Sequence, residues 1–122
     1  MFMGCACCMT NCITSRNQLV ACAIKGVIQQ SCPSGEQVYV QCVHPVPITV
    51  SILNTGAPGV SCNIIARLKG PSTTATVTIE PLQQKTLCSD KATQLTIECT
   101  GGGVLGNCVG TFEGCIGAVN TA

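Results

Sequence analysis

Charge is what this chain has least of. Lys, Arg, Asp and Glu make up 9% of its 122 residues, against about 25% in ordinary soluble domains. The six bases, Arg16, Lys25, Arg67, Lys69, Lys85 and Lys91, are scattered and offset by five acids, so the net charge is only +1. Nucleic-acid binding needs clustered Lys and Arg, and no basic stripe is present. Tryptophan is absent, and the aromatics are Phe2, Tyr39 and Phe112. The core must therefore be built from Val, Ile, Leu, Ala and Cys, and a small binding module would lack its usual aromatic anchors. One histidine, His44, and acids that stand singly at Glu36, Glu80, Asp90, Glu98 and Glu113 form no evident triad or carboxylate pair, so neither an enzyme nor a small-molecule substrate is expected. His44 is read as a bend residue beside Pro45. No uncharged apolar run reaches 18 residues, which argues against a helical membrane span. Thr-Gly-Gly-Gly at 100–103 lacks the Gly-Lys-Ser/Thr end of a phosphate loop and is read as a flexible connection. Thiol redox catalysis would need a βαβ setting that the chain does not have. No cofactor is implied.

Cysteine is what the chain has in excess. Its twelve cysteines approach the density of disulfide scaffolds from oxidising surroundings. Four of them, Cys5, Cys7, Cys8 and Cys12, crowd into the opening dozen residues. That opening has neither the positive region nor the apolar run of a secretory leader, so residues 1–16 are expected to remain as an arm on a domain covering 17–122. Roughly 15 extended residues reach about 50 Å, whereas a domain of about 100 residues has a radius of gyration near 13 Å. Such an arm passes beyond its own domain and touches a neighbour. With hydrophobic residues at 46% and so little charge, much of the exterior is expected to be covered by other copies.

Helical periodicity is absent. Short apolar stretches separated by Gly, Pro, Ser and Asn predict eight strands at about 18–25, 37–43, 48–53, 62–69, 74–79, 82–88, 92–99 and 110–119, with polar turns at 29–35 and 89–91. Alternation is clearest at 62–69, where Cys62, Ile64, Ala66 and Leu68 share one face. The expected fold is all-β: an eight-stranded jelly-roll sandwich carrying an extended Cys-rich N-terminal arm, with an immunoglobulin-like sandwich as the alternative that periodicity leaves open.

Parity sorts the cysteines. Phe112 and Ile116 should face the core, which turns Cys115 outward on the last strand. Cys42, Cys62 and Cys99 turn inward, either as buried free thiols or as members of internal bridges. Cys99 and Cys108 flank the Gly-rich connection, and a disulfide between them would close it. Cys32 and Cys88 lie near turns, and their partners do not follow from one sequence. Cys22 is read as inward if Lys25 is outward. The spacing Cys-x-Cys-Cys-x-x-x-Cys in the arm also resembles thiolate clusters that hold zinc or copper(I). It lacks the paired knuckles of a structural zinc site, and the preferred reading holds no metal.

The ordering of these parts resembles the endospore appendage (Ena) subunits of spore-forming Bacillus-type bacteria. The resemblance runs over essentially the whole chain. It rests on the arm cysteines Cys5, Cys7 and Cys8, the first-strand segment Leu-Val-Ala-Cys-Ala-Ile-Lys at 19–25, and the ending Glu-Cys-Thr-Gly followed by Cys-Val-Gly-Thr-Phe-Glu-Gly-Cys-Ile at 108–116. It implies a jelly-roll subunit that polymerises with itself into a fibre on the spore surface after the mother cell lyses. Neighbours in that family join by sheet augmentation, and N-terminal arms form disulfides with earlier subunits. Carried over residue by residue, the arm thiols are Cys7 and Cys8, with Cys5 as a third candidate, and the acceptors are Cys22 and Cys115. The alternative is a discrete thiol-rich metal-binding or coat-crosslinking protein.

Overall fold

The computed structural model describes residues 3–4, 21–101 and 106–117, and among them there is no helix. The seven strands are β1 (Met3–Gly4), β2 (Ala21–Ser31), β3 (Ser34–Asn54), β4 (Asn63–Lys69), β5 (Thr74–Ile79), β6 (Gln84–Thr100) and β7 (Asn107–Gly117). The six long ones are hydrogen-bonded in the order β2-β7-β3-β6-β4-β5, every pair antiparallel. The two residues of β1 lie parallel to β3, with Met3 opposite Val40 and Gly4 opposite Gln41.

Six long strands stand where the spacing predicts eight because two of the expected bends do not end a strand. Expected strands 37–43 and 48–53 are one strand, β3, and 82–88 and 92–99 are one strand, β6. Pro45 and Pro47 have no N–H to give to a ladder. They are tolerated because the β3 register breaks between Gln41 and Val46 and again between Val46 and Ile48, and bulges are where a strand accepts proline. Opposite them, Ser89 pairs with Ile48 and Ala92 with Val46, so Asp90 and Lys91 bow outward without stopping the chain.

These breaks divide the pairing into two blocks. In one, β2, β7, the 48–54 part of β3 and the 84–89 part of β6 lie side by side. In the other, the 34–41 part of β3 joins the 94–100 part of β6, then β4 and β5. The blocks face each other. Phe112 of β7 meets Tyr39 of β3 edge-on, ring centroids 5.7 Å apart, and Gln30 of β2 donates to the Ile97 carbonyl of β6 at 3.4 Å. Between them lies an aliphatic core that includes Ile28, Val40, Ile52, Ile64, Leu68 and Leu95, all fully buried. Alternation is strict in β4, where Ile64, Ala66 and Leu68 point inward and Ile65, Arg67 and Lys69 do not.

Two local features build this interior. A bulge sets Val38 opposite Thr96 and Val40 opposite Leu95, leaving Tyr39 unpaired and able to turn inward beside Val40. Its hydroxyl donates to Gln30 Oε1 at 2.7 Å, and Gln30 Nε2 donates to Ser34 Oγ at 2.9 Å. With those polar atoms satisfied, β2 runs through the expected 29–35 turn as far as Ser31. Gly26, paired with Phe112, leaves room for that ring: a Cβ there would stand 2.7 Å from Phe112 Cε1.

Candidate functional site

The cysteines fall into buried and exposed groups. Cys32, at the β2–β3 turn, is bonded to Cys62 at the entrance to β4, S–S 2.09 Å across 30 residues of chain. Cys99 at the end of β6 is bonded to Cys108 in β7, S–S 2.15 Å across 9 residues. Cys42 is buried and disulfide-bonded as well. Of the two alternatives for the inward cysteines 42, 62 and 99, the bridge therefore holds for all three. The turn that carries Cys62 is fixed by buried Asn54, whose Nδ2 donates to the Cys62 and Ile79 carbonyls, 3.0 Å each, while its Oδ1 accepts from Gly56 N at 2.9 Å.

The outward residues of the first block form a grid set by register. One row runs Ala23, Cys115, Thr49, Cys88 across β2, β7, β3 and β6. The next runs Lys25, Glu113, Ser51, Thr86, and the third Val27, Thr111, Leu53, Gln84. Cys115 and Cys88 are both exposed, while Phe112 and Ile116 on either side of Cys115 are buried. Ser51 and Thr86 hydroxyls are 2.8 Å apart. Lys25 and Glu113 are the charged residues of these three rows. A half-open groove of about 530 Å³ lies over the second and third rows, its lining including Val27, Leu53, Gln84 and Glu113. Val27 is 69% exposed within it, an apolar side chain that the subunit itself does not cover.

Charge is gathered on the other block. Arg67 donates through Nη1 to Glu36 and to Glu98, 2.7 Å each, and Lys69 donates to the second oxygen of Glu36. The Lys69 hydrogen bond, with the Lys69 and Arg67 charges, outweighs desolvation and holds the Glu36 carboxyl below the usual carboxylate range. The Glu98 hydrogen bond is the main reason the Arg67 guanidinium is held still more firmly in its charged form. This cluster ties β3, β4 and β6 together and leaves no unpaired charge aimed at a ligand. Among the described residues no group of three or more His, Cys, Asp or Glu side chains is arranged to hold a metal ion.

The arm cysteines Cys5, Cys7, Cys8 and Cys12 lie outside the described residues, and with them the thiolate-cluster alternative. The backbone of Cys22 stands in β2 opposite Ile116; its side chain is likewise outside the description. Cys99 and Cys108 are brought together, and Cys115 stands on the outer face. Reading the sequence assigned no place to Cys88 in that row, because the row exists only through pairing of β7 with β3 and of β3 with β6.

No protein-family model matches the chain, and no curated protein matches it. A solved structure of Bacillus endospore appendages, described as forming a novel family of disulfide-linked pili, does match: TM-score 0.55, 16% identity, covering 92% of this chain and 100% of that one. The two share a fold.

Proposed function

We propose that this chain is a structural subunit, not a catalyst, which assembles with copies of itself into a disulfide-crosslinked, pilus-like fibre on the spore surface. The fold likeness to a disulfide-linked pilus subunit, over nearly all of this chain and the whole of that one, carries the reading. In this reading the two blocks are the two sheets of a jelly roll covering 17–122, and residues 1–16 are the connector. The outward thiol Cys115 and Cys22 of β2 accept disulfides from Cys7 and Cys8, or Cys5, of another copy. β2 and β5 end the strand order among the described residues, and in this reading neighbours add strands at the ends of the sheet. A head-to-tail contact that does not close into a ring propagates as a helix. The charge-poor outer face and exposed Val27 fit a surface meant to be covered. Negative-stain electron microscopy of the purified full-length chain under oxidising conditions tests this: long fibres are expected, and discrete monomers or small closed oligomers at high concentration overturn it.

A further inference from the structure

Cys42 is buried in β3 and disulfide-bonded. Cys32 and Cys62 hold each other, as do Cys99 and Cys108. Cys88 and Cys115 stand exposed on the outer face of the first block, away from this interior. Of the twelve cysteines, that leaves Cys5, Cys7, Cys8, Cys12 and Cys22 to supply the partner.

Strand pairing decides among them. On one side β3 is bonded to β6, with Val40 opposite Leu95 and Gln41 opposite Gln94. On its other side β7 covers only 48–54, so the 34–41 part of β3 has an edge there, and the described residues that lie along it are Met3 and Gly4. That ladder is parallel, Met3 opposite Val40 and Gly4 opposite Gln41, and one further step along both strands sets residue 5 opposite residue 42. Neighbouring strands lie about 4.8 Å apart, inside the roughly 4.4–6.8 Å that a disulfide spans between α-carbons. Positions 3 and 5 share a face, as Val40 and Cys42 do, and in β3 that face is the buried one. Cys7, two residues farther along an extended strand, would lie about 8 Å from Cys42, too far for the bond. Cys8 and Cys12 fall on the opposite face of such a strand, and β7 stands between β3 and the β2 strand that carries Cys22.

We propose that Cys42 is bonded to Cys5 of its own chain, so that this edge of β3 is the docking site of the N-terminal segment. Each thiol gives up a hydrogen, a sulfur–sulfur bond forms, and the two electrons and two protons pass to dioxygen, yielding hydrogen peroxide. A ladder of two residue pairs holds a strand weakly by itself; the covalent bond keeps the segment in place over an edge that would otherwise accept a strand from another chain. Cys5 is thereby withdrawn from bonding between copies. On the fibre reading above, the crosslink then falls to Cys7 and Cys8.

The test lets a mixture of reduced ¹⁵N-labelled and unlabelled full-length chains oxidise in air, alkylates remaining thiols in denaturant without reduction, and maps the peptides by mass spectrometry with fragmentation that locates each sulfur. A Cys5–Cys42 link within one isotope is expected. In the Cys5→Ser chain, Cys42 should be alkylated in denaturant but not in the folded protein, with the Cys32–Cys62 and Cys99–Cys108 links intact; in the Cys42→Ser chain, Cys5 should be alkylated. Cys42 alkylated in the unmodified chain, joined to Cys7, Cys8, Cys12 or Cys22, or joined to Cys5 of the other isotope overturns the inference. Fibres of Cys5→Ser should resist hot detergent without reductant as unmodified fibres do; if they alone come apart, Cys5 is a crosslinking thiol, and this inference fails while the fibre reading stands. A Cys5–Cys42 link within one isotope in chains that never form fibres upholds the inference and overturns the fibre reading.

Discussion

Replacing Cys32 and Cys62 together by Ala should cost the subunit more than the same replacement at Cys99 and Cys108. The bridge closes a loop of 30 residues, and loop-closure entropy in the unfolded chain then gives about 3.6 kcal/mol of stabilisation. The Cys99–Cys108 loop of 9 residues gives about 2.6 kcal/mol on the same basis. Domains of this size have a total stability of about 5–15 kcal/mol, so the longer bridge is a large share of it. With an unfolding entropy of about 2.1 cal/mol/K per residue over 122 residues, the melting temperature should fall by about 14 °C for the Cys32/Cys62 pair and about 10 °C for the Cys99/Cys108 pair. Both cysteines are changed so that no unpaired thiol is left to mispair. Thermal unfolding of the unassembled subunit, followed by circular dichroism, measures both pairs side by side. A loss below about 1 kcal/mol for Cys32/Cys62, or a larger loss for Cys99/Cys108, would refute the reasoning and show that the unfolded chain already keeps the β2–β3 turn near β4.

Glu36→Gln removes the carboxylate shared by Lys69 and Arg67; because the pairs are roughly a third exposed, about 0.5–1 kcal/mol should be lost at pH 7. Since the folded-state pKa of Glu36 is lowered, its contribution is present above the unfolded value of about 4.3 and disappears as pH falls through the folded one. Urea midpoints of the two proteins should therefore converge in acid, and a gap constant from pH 7 to pH 3 would contradict the charge account. Gly26→Ala should destabilise by about 1–3 kcal/mol through the clash with the Phe112 ring, exceeding the 0.4–1 kcal/mol or so that Gly→Ala returns by restricting the unfolded chain; an unchanged urea midpoint would mean the ring simply moves aside. Fibres of the Cys7→Ser/Cys8→Ser chain should come apart in hot detergent without reductant while unmodified fibres persist, and those of Cys115→Ser, which keep Cys22 as an acceptor, should be weakened and release more of their subunit, as gel electrophoresis would reveal. Equal resistance of all three would remove these thiols from the crosslink.

The strand segments and their inward faces were legible from residue order. Period-two alternation depends only on neighbours along the chain, so Ile64, Ala66 and Leu68 of β4, and Phe112 and Ile116 of β7, declare their side without reference to anything distant. The cysteines flanking the glycine-rich connection were legible for the same reason, since Cys99 and Cys108 are only 9 residues apart. Other features were settled by tertiary structure. Whether Pro45 and Pro47 end a strand or sit in its bulges depends on what β6 pairs with opposite them. The burial of Tyr39 needs both a bulge and the amide of Gln30 on another strand. Cys32 meets Cys62 because the β2–β3 turn lies over the entrance to β4, and 30 intervening residues carry no local signal of that approach. The row shared by Cys115 and Cys88 comes from the strand order β7-β3-β6, which brings together strands that are not consecutive in the chain. Parity turns a side chain in or out, but only non-local pairing decides which side chains stand next to it.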